Sequence, residues 1–154
     1  MKTILVPIDF SDITPRILAS AESLAKPLKA RLVLVHVISP SVIMTAYGFA
    51  PEDAALQFNE EKDRARRLIE RHAAKLRDNG TEVLTELMEG SGIASILRAT
   101  EEQDADMIVL GSHGHGALYE ILVGSTAKGV LQEARCPVLV IPPPGRSRPK
   151  PGEK

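Results

Sequence analysis

Residues 4–8, 32–38, 107–110 and 138–141 form four short apolar runs, each rich in Val, Ile or Leu and without the strict polar alternation of a half-wet strand. A strand that is apolar on both sides must be covered on both sides. These runs therefore predict the strands of a parallel sheet sandwiched between helices. A weaker run at residues 81–88 reads as a fifth strand, at an edge.

Helical patterns fill the intervals. Ile17, Leu18, Ala21, Leu24, Ala25 and Leu28 recur at the spacing of one helix face, and Ser11 and Asp12 are placed to cap that helix. A long second helix, residues 51–79, turns Leu56, Ala65, Leu68, Ile69, Ala73 and Leu76 inward and its charged face to water, with Gly80 as its stop. A third follows Ser91, and a fourth covers residues 125–134 before Pro137. The resulting β-α-β-α-β-α-β-α-β order predicts an open, doubly wound α/β sheet of five parallel strands with helices on both faces. One domain over residues 1–141 is expected, followed by a proline-rich, basic and flexible tail at residues 142–154.

Charge and composition remove several classes of function. Residues 145–154 carry Arg146, Arg148, Lys150 and Lys154 against Glu153, a segment of +3 that leaves the body at −4. A net-acidic body with five aromatic residues supports neither a nucleic-acid surface nor a base-stacking platform. No apolar stretch reaches the roughly 18 residues of a membrane span, and Asp9 comes too early for a signal peptide. The single cysteine, Cys136, excludes an internal disulfide and fits a reducing compartment, so a cytoplasmic location is expected.

Open α/β sheets bind ligands beyond the carboxyl ends of their strands, where successive crossovers turn in opposite directions. Two strand ends are candidates: the first, at Pro7, Ile8 and Asp9, and the fourth, which opens the glycine-rich turn starting at Gly111. Gly111, Gly114, Gly124 and Ser125 follow the spacing G-x2-G-x9-G-S. Glycines let the main chain approach a phosphate, and Ser125 and the free amides of the following helix donate to its oxygens. A Walker A loop is excluded, since Lys128 follows Ser125 instead of preceding it. A dinucleotide fingerprint is disfavoured, because the turn after the first strand, residues 9–12, holds no glycine.

With this glycine motif and the stretches ILVPID, LVLVHVI, MIVLGSHG and CPVLVI, residues 1–141 resemble the universal stress proteins, in particular their ATP-binding branch. The resemblance implies a Rossmann-like subunit of strand order 3-2-1-4-5, often dimeric, that binds ATP in stress response or regulation. It places Asp9 and Val37 at adenine and ribose, with Leu110 nearby and Pro7 and Ile8 shaping the same wall. Gly111, Gly114, Gly124, Ser125 and Thr126 would hold ribose and phosphates. Leu110 stands where some members carry methionine and Thr126 where some carry valine, and neither change closes the site.

The expected function is that of an ATP-binding regulatory protein working with Mg²⁺ or Mn²⁺ held mainly by phosphates and water. It would act as a homodimer through the apolar fifth strand, Val138–Ile141, and present a nucleotide-dependent surface to a regulatory protein partner. A slow ATPase or autophosphorylating phosphotransferase is the first alternative, with Asp9, Ser125, His113 or His115 as participants. An interaction protein without nucleotide is the second. The spacing of His113 and His115 falls short of a zinc pattern. Lys128, one turn beyond Ser125, reads as a phosphate contact or a solvent-facing lysine, and Met44, Tyr47 and Phe49 belong to a loop that would lie over adenine, against a second subunit, or partly ordered at the surface. His36 reads as a satisfied histidine within a strand, His72 as a solvated residue on a charged helix, and Cys136 as inert packing.

Overall fold

The computed structural model describes residues 1–39, 52–112 and 124–143. They form five strands and four helices in strict alternation: β1 (Thr3–Pro7), α1 (Thr14–Leu28), β2 (Arg31–Ile38), α2 (Glu52–Asp78), β3 (Val83–Glu89), α3 (Gly92–Glu102), β4 (Met107–Gly111), α4 (Ser125–Glu133) and β5 (Val138–Ile141). The strands make one sheet of order β3-β2-β1-β4-β5, and every pair is parallel.

The burial of the runs follows from that order. Ile4, Leu5 and Val6 of β1, Leu32 to Val35 of β2 and Ile108 and Val109 of β4 are fully buried, since these strands lie inside the sheet with helices above and below. Alternate residues face opposite cores. Ile4, Val6, Leu32 and Leu34 pack with Ile17, Leu18, Ala21 and Ala25 of α1 and with Ile69 and Ala73 of α2. Leu5, Val33, Val35 and Ile108 pack on the other side with Ile96 and Ala99 of α3 and with Ala127 and Val130 of α4. The fifth strand expected at an edge is β3, where Leu84 is exposed and Val83 and Met88 are buried.

α1 ends where Pro27 removes an amide and Lys29 turns left-handed at φ 51°. Ala30 N donates to Ala25 O and Lys29 N to Lys26 O, the paired bonds of a Schellman stop. α2 ends in the same way, with Gly80 at φ 84° and bonds from Thr81 N to Leu76 O and from Gly80 N to Arg77 O. α3 repeats the device with Asp104 at φ 47°, Asp104 N donating to Glu101 O and Ala105 N to Thr100 O.

The start of α1 differs from the sequence expectation. Its N-cap is Ile13, in helical conformation and without a side-chain cap, so neither Ser11 nor Asp12 plays that part. Ser11 acts through its carbonyl, which accepts from Thr14 N at 2.9 Å, and its own amide and hydroxyl are turned back to the Asp9 carboxylate. A side chain committed to an Asx turn two residues earlier is not free to cap a helix downstream. Residues 40–51, within the stretch expected as a loop, and residues 144–154, within the expected flexible tail, lie outside the described residues.

Candidate functional site

β1 and β4 are neighbours at the point where the winding reverses, because β2 and β3 follow on one side of β1 while β4 and β5 follow on the other. Their carboxyl ends part. Registered pairing between them stops at Leu5↔Ile108, whereas β1 stays paired with β2 as far as Pro7↔Val35. Pro7 has no amide to offer, and Ile8 N donates to Val35 O at 2.8 Å, which draws the end of β1 towards β2. The space beyond these strand ends, at the reversal point where this class of sheet places its ligands, is the candidate cleft.

The fourth strand and α4 close the other side. Ser112 N donates to Ile141 O at 2.8 Å, extending the β4–β5 pairing by one residue, and Gly124 N donates to Ser112 O at 2.6 Å. That second bond returns the chain beside the point where it left, so α4 starts at the mouth of the cleft. Gly124, its N-cap, makes no side-chain cap, and the first-turn amides have no intrahelical acceptors. Ser125 and Thr126 are exposed there, while Ala127 is buried in the α3–α4 core next to Leu110. The positive end of the α4 dipole and two hydroxyl side chains therefore flank the cleft, a donor set suited to an anion.

Pro7, Ile8 and Asp9 stand at the carboxyl end of β1 and Leu110 and Gly111 at that of its neighbour β4, while Gly124, whose amide reaches Ser112 O, starts α4 with Ser125 and Thr126, and Val37 lies one strand away near the end of β2. Their side chains differ in what they can present. Ile8 and Leu110 are 5% and 4% exposed and belong to the two cores, so they support the cleft from behind. Pro7, Asp9 and Val37 are half-buried, and the Asp9 carboxylate accepts from Ser11 N at 3.0 Å and from Ser11 Oγ. Gly114, His113, His115, Met44, Tyr47 and Phe49 lie outside the described residues. Lys128 is exposed on α4, and its amide donates to Gly124 O at 2.9 Å. Among the described residues no group of three or more His, Cys, Asp or Glu side chains forms a metal cluster.

The histidines fall into a grouping the sequence did not reveal. His36 is satisfied, as expected, by a 2.8 Å hydrogen bond between its Nδ1 and Ile8 O. His72 is not the solvated residue expected. It is half-buried, with its ring nearly parallel to Phe10 at 6.2 Å, and Phe10 in turn lies 4.3 Å from His36. Burial, followed by the nearby charges of Lys75 and Arg71, holds His72 below the usual histidine range. The periodicity of α2 places position 72 between Ile69 and Ala73 on the inward side, and that was the available signal. Cys136 is half-buried against the α3–α4 core, and burial raises its thiol above the ordinary value.

A parallel sheet of this order with helices on both faces defines a Rossmann-like α/β protein. Residues 1–142 match the universal stress protein family, and the chain belongs to that family. It is 33% identical over 145 residues to universal stress protein MJ0531 of Methanocaldococcus jannaschii, spanning 93% of this chain and 83% of that protein. Among solved structures it resembles the hypothetical protein MJ0577 with a TM-score of 0.82 and 28% identity, over 94% of this chain and 97% of the other. The same fold occurs in a universal stress protein from Archaeoglobus fulgidus solved in complex with dAMP. Identity there is 24% and the TM-score 0.65, over 92% of this chain and 98% of that one.

Proposed function

We propose that this protein is an ATP-binding regulatory member of its family that takes the nucleotide in the cleft between β1 and β4. In this reading Asp9, Val37 and Pro7 receive adenine and ribose, with Ile8 and Leu110 behind them. Gly111, Gly114, Gly124, Ser125 and Thr126 receive the ribose and phosphates. The protein acts in the cytoplasm as a homodimer, and nucleotide occupancy alters the surface it presents to a regulatory protein partner.

The observation that carries the reading is the start of α4. Gly124 has φ −67° and ψ 163°, a conformation open to any residue, so the backbone does not require glycine there. Absence of a side chain beside uncapped amides suits close approach of a phosphate. The dAMP complex of the Archaeoglobus fulgidus protein, which shares the fold, agrees with an adenine nucleotide as ligand class. ATP brings about four negative charges, more than one helix end offsets, so Mg²⁺ or Mn²⁺ held mainly by phosphate oxygens and water completes the balance.

Gly124→Val tests the site directly. Its two methyl groups intrude where phosphate meets the main chain, and ATP affinity in titration calorimetry is expected to fall by about tenfold or more, equivalent to about 1.4 kcal/mol or more. A variant that keeps its circular dichroism spectrum and binds ATP as the parent does would put the phosphates elsewhere.

A further inference from the structure

We propose that His36 is a positioning residue that, through Ile8 and Phe10, fixes the main chain on both sides of Asp9 and so sets the adenine side of the cleft. The inference rests on the nucleotide reading above and adds to it a residue that the glycine motif does not include.

The backbone ladder between β1 and β2 ends with the bond from Ile8 N to Val35 O. Beyond it the chain turns away, and the Ile8 carbonyl is taken by the His36 ring at 2.8 Å. Because a carbonyl only accepts, Nδ1 must carry the proton, which fixes how the imidazole is used. His36 thus extends strand pairing by one more hydrogen bond, made with a side chain.

The residue on the other side of Asp9 is held by the same histidine. Phe10 has φ 60°, a left-handed conformation unfavourable for a bulky aromatic residue. Its ring lies against His36, with centroids 4.3 Å apart and planes tilted by 33°, and it faces His72 of α2 at 6.2 Å and 8°. A strained residue persists where its surroundings over-determine it, and strained positions gather at functional sites. Here the ring contacts hold Phe10, the hydrogen bond holds Ile8, and Asp9 stands between them with its carboxylate fixed by the Ser11 turn. Val37, also assigned to the adenine side, directly follows His36 in β2. One imidazole therefore couples the ends of β1 and β2 at the point where both are assigned to the ligand.

The test compares His36→Ala with His36→Asn, whose side-chain amide can donate from nearly the same place as Nδ1, in MgATP titration calorimetry and in ligand-free hydrogen exchange. The expected result is a loss of about tenfold in MgATP affinity for His36→Ala, the size of one hydrogen bond's contribution, with most of it recovered in His36→Asn. Without ligand, the amides of residues 9–11 should exchange faster in His36→Ala while those of β1 and β2 remain protected. Phe10→Leu, which keeps apolar bulk and removes the ring stack, should move affinity and exchange in the same direction, and it serves if His36→Ala does not fold. A folded His36→Ala that binds MgATP within about twofold of the parent, or alanine and asparagine variants that behave alike, would overturn the proposal. If the parent itself binds no MgATP, the nucleotide reading fails. The exchange of residues 9–11 then still decides whether His36 orders Asp9, so the two failures are distinguishable.

Discussion

At the scale of single residues, His72 makes the stability of this protein depend on pH. Its ring is half-buried against Phe10 beside Lys75 and Arg71, so the folded chain takes up a proton there less readily than the unfolded chain, for which 6.5 is the ordinary value. Above that value neither state is charged and the stabilising contribution is whole. As pH falls through it the unfolded state binds its proton first, and stability declines until the lower folded value is passed. The melting temperature of the parent should fall between about pH 7.5 and 5.5 more steeply than that of His72→Gln, which does not titrate. Equal slopes would mean that the ring is solvated in the folded state. From sequence alone His72 looks like one more polar residue among Arg71, Lys75 and Arg77, and what makes it different is the Phe10 ring, brought from sixty-two positions away by the packing of α2 on the sheet. Asp9 was legible as a residue of the candidate site, but its Asx turn and the left-handed Phe10 beside it carry no mark in a linear pattern.

At the scale of elements, three helices end in the same left-handed stop, at Lys29, Gly80 and Asp104. Only Gly80 announces itself in the sequence, because glycine is the residue such a position favours and lysine and aspartate are tolerated there at a conformational cost. Gly80→Ala isolates that cost, since an added Cβ would meet no atom within 4 Å. The substitution should destabilise by about 1 kcal/mol, the left-handed penalty less the entropy that alanine removes from the unfolded chain. Urea denaturation should show a lower midpoint at constant slope. An unchanged midpoint would contradict a purely backbone account of the stop. The strands β1, β2 and β4 are legible because burial on both faces leaves continuous apolar runs, whereas β5 is equally apolar with Leu139 exposed and β3 starts at Val83, two residues into its weaker run. The start of α1 is not legible in the sequence, because Ser11 and Asp12 have the chemistry of caps while the Asp9 carboxylate claims Ser11 locally.

At the scale of the whole molecule, alternating elements made the doubly wound sheet legible, and the family resemblance supplied the strand order that the fold displays. The cleft itself was legible as a pair of strand ends. That pairing of β1 with β4 stops at Leu5↔Ile108 while β1 remains with β2 is a property of three strands together, which no single segment encodes. The same sheet has an apolar edge at β5, where Leu139 is 37% exposed and pairing runs to β4 on one side. Edge-to-edge pairing of two copies would satisfy that edge, and the expected result in light scattering at micromolar protein is twice the chain mass. A monomeric mass there would leave the edge to another partner.

Thermal unfolding with and without saturating MgATP decides whether the cleft beyond β1 and β4 holds ATP with a divalent cation. A ligand at about 100 times its dissociation constant adds about 2.7 kcal/mol, a rise of roughly 5 to 10 °C for a chain of this size. The parent should show that rise and Gly124→Val should lose it. A melting temperature indifferent to MgATP in the parent would mean that the cleft does not hold the nucleotide.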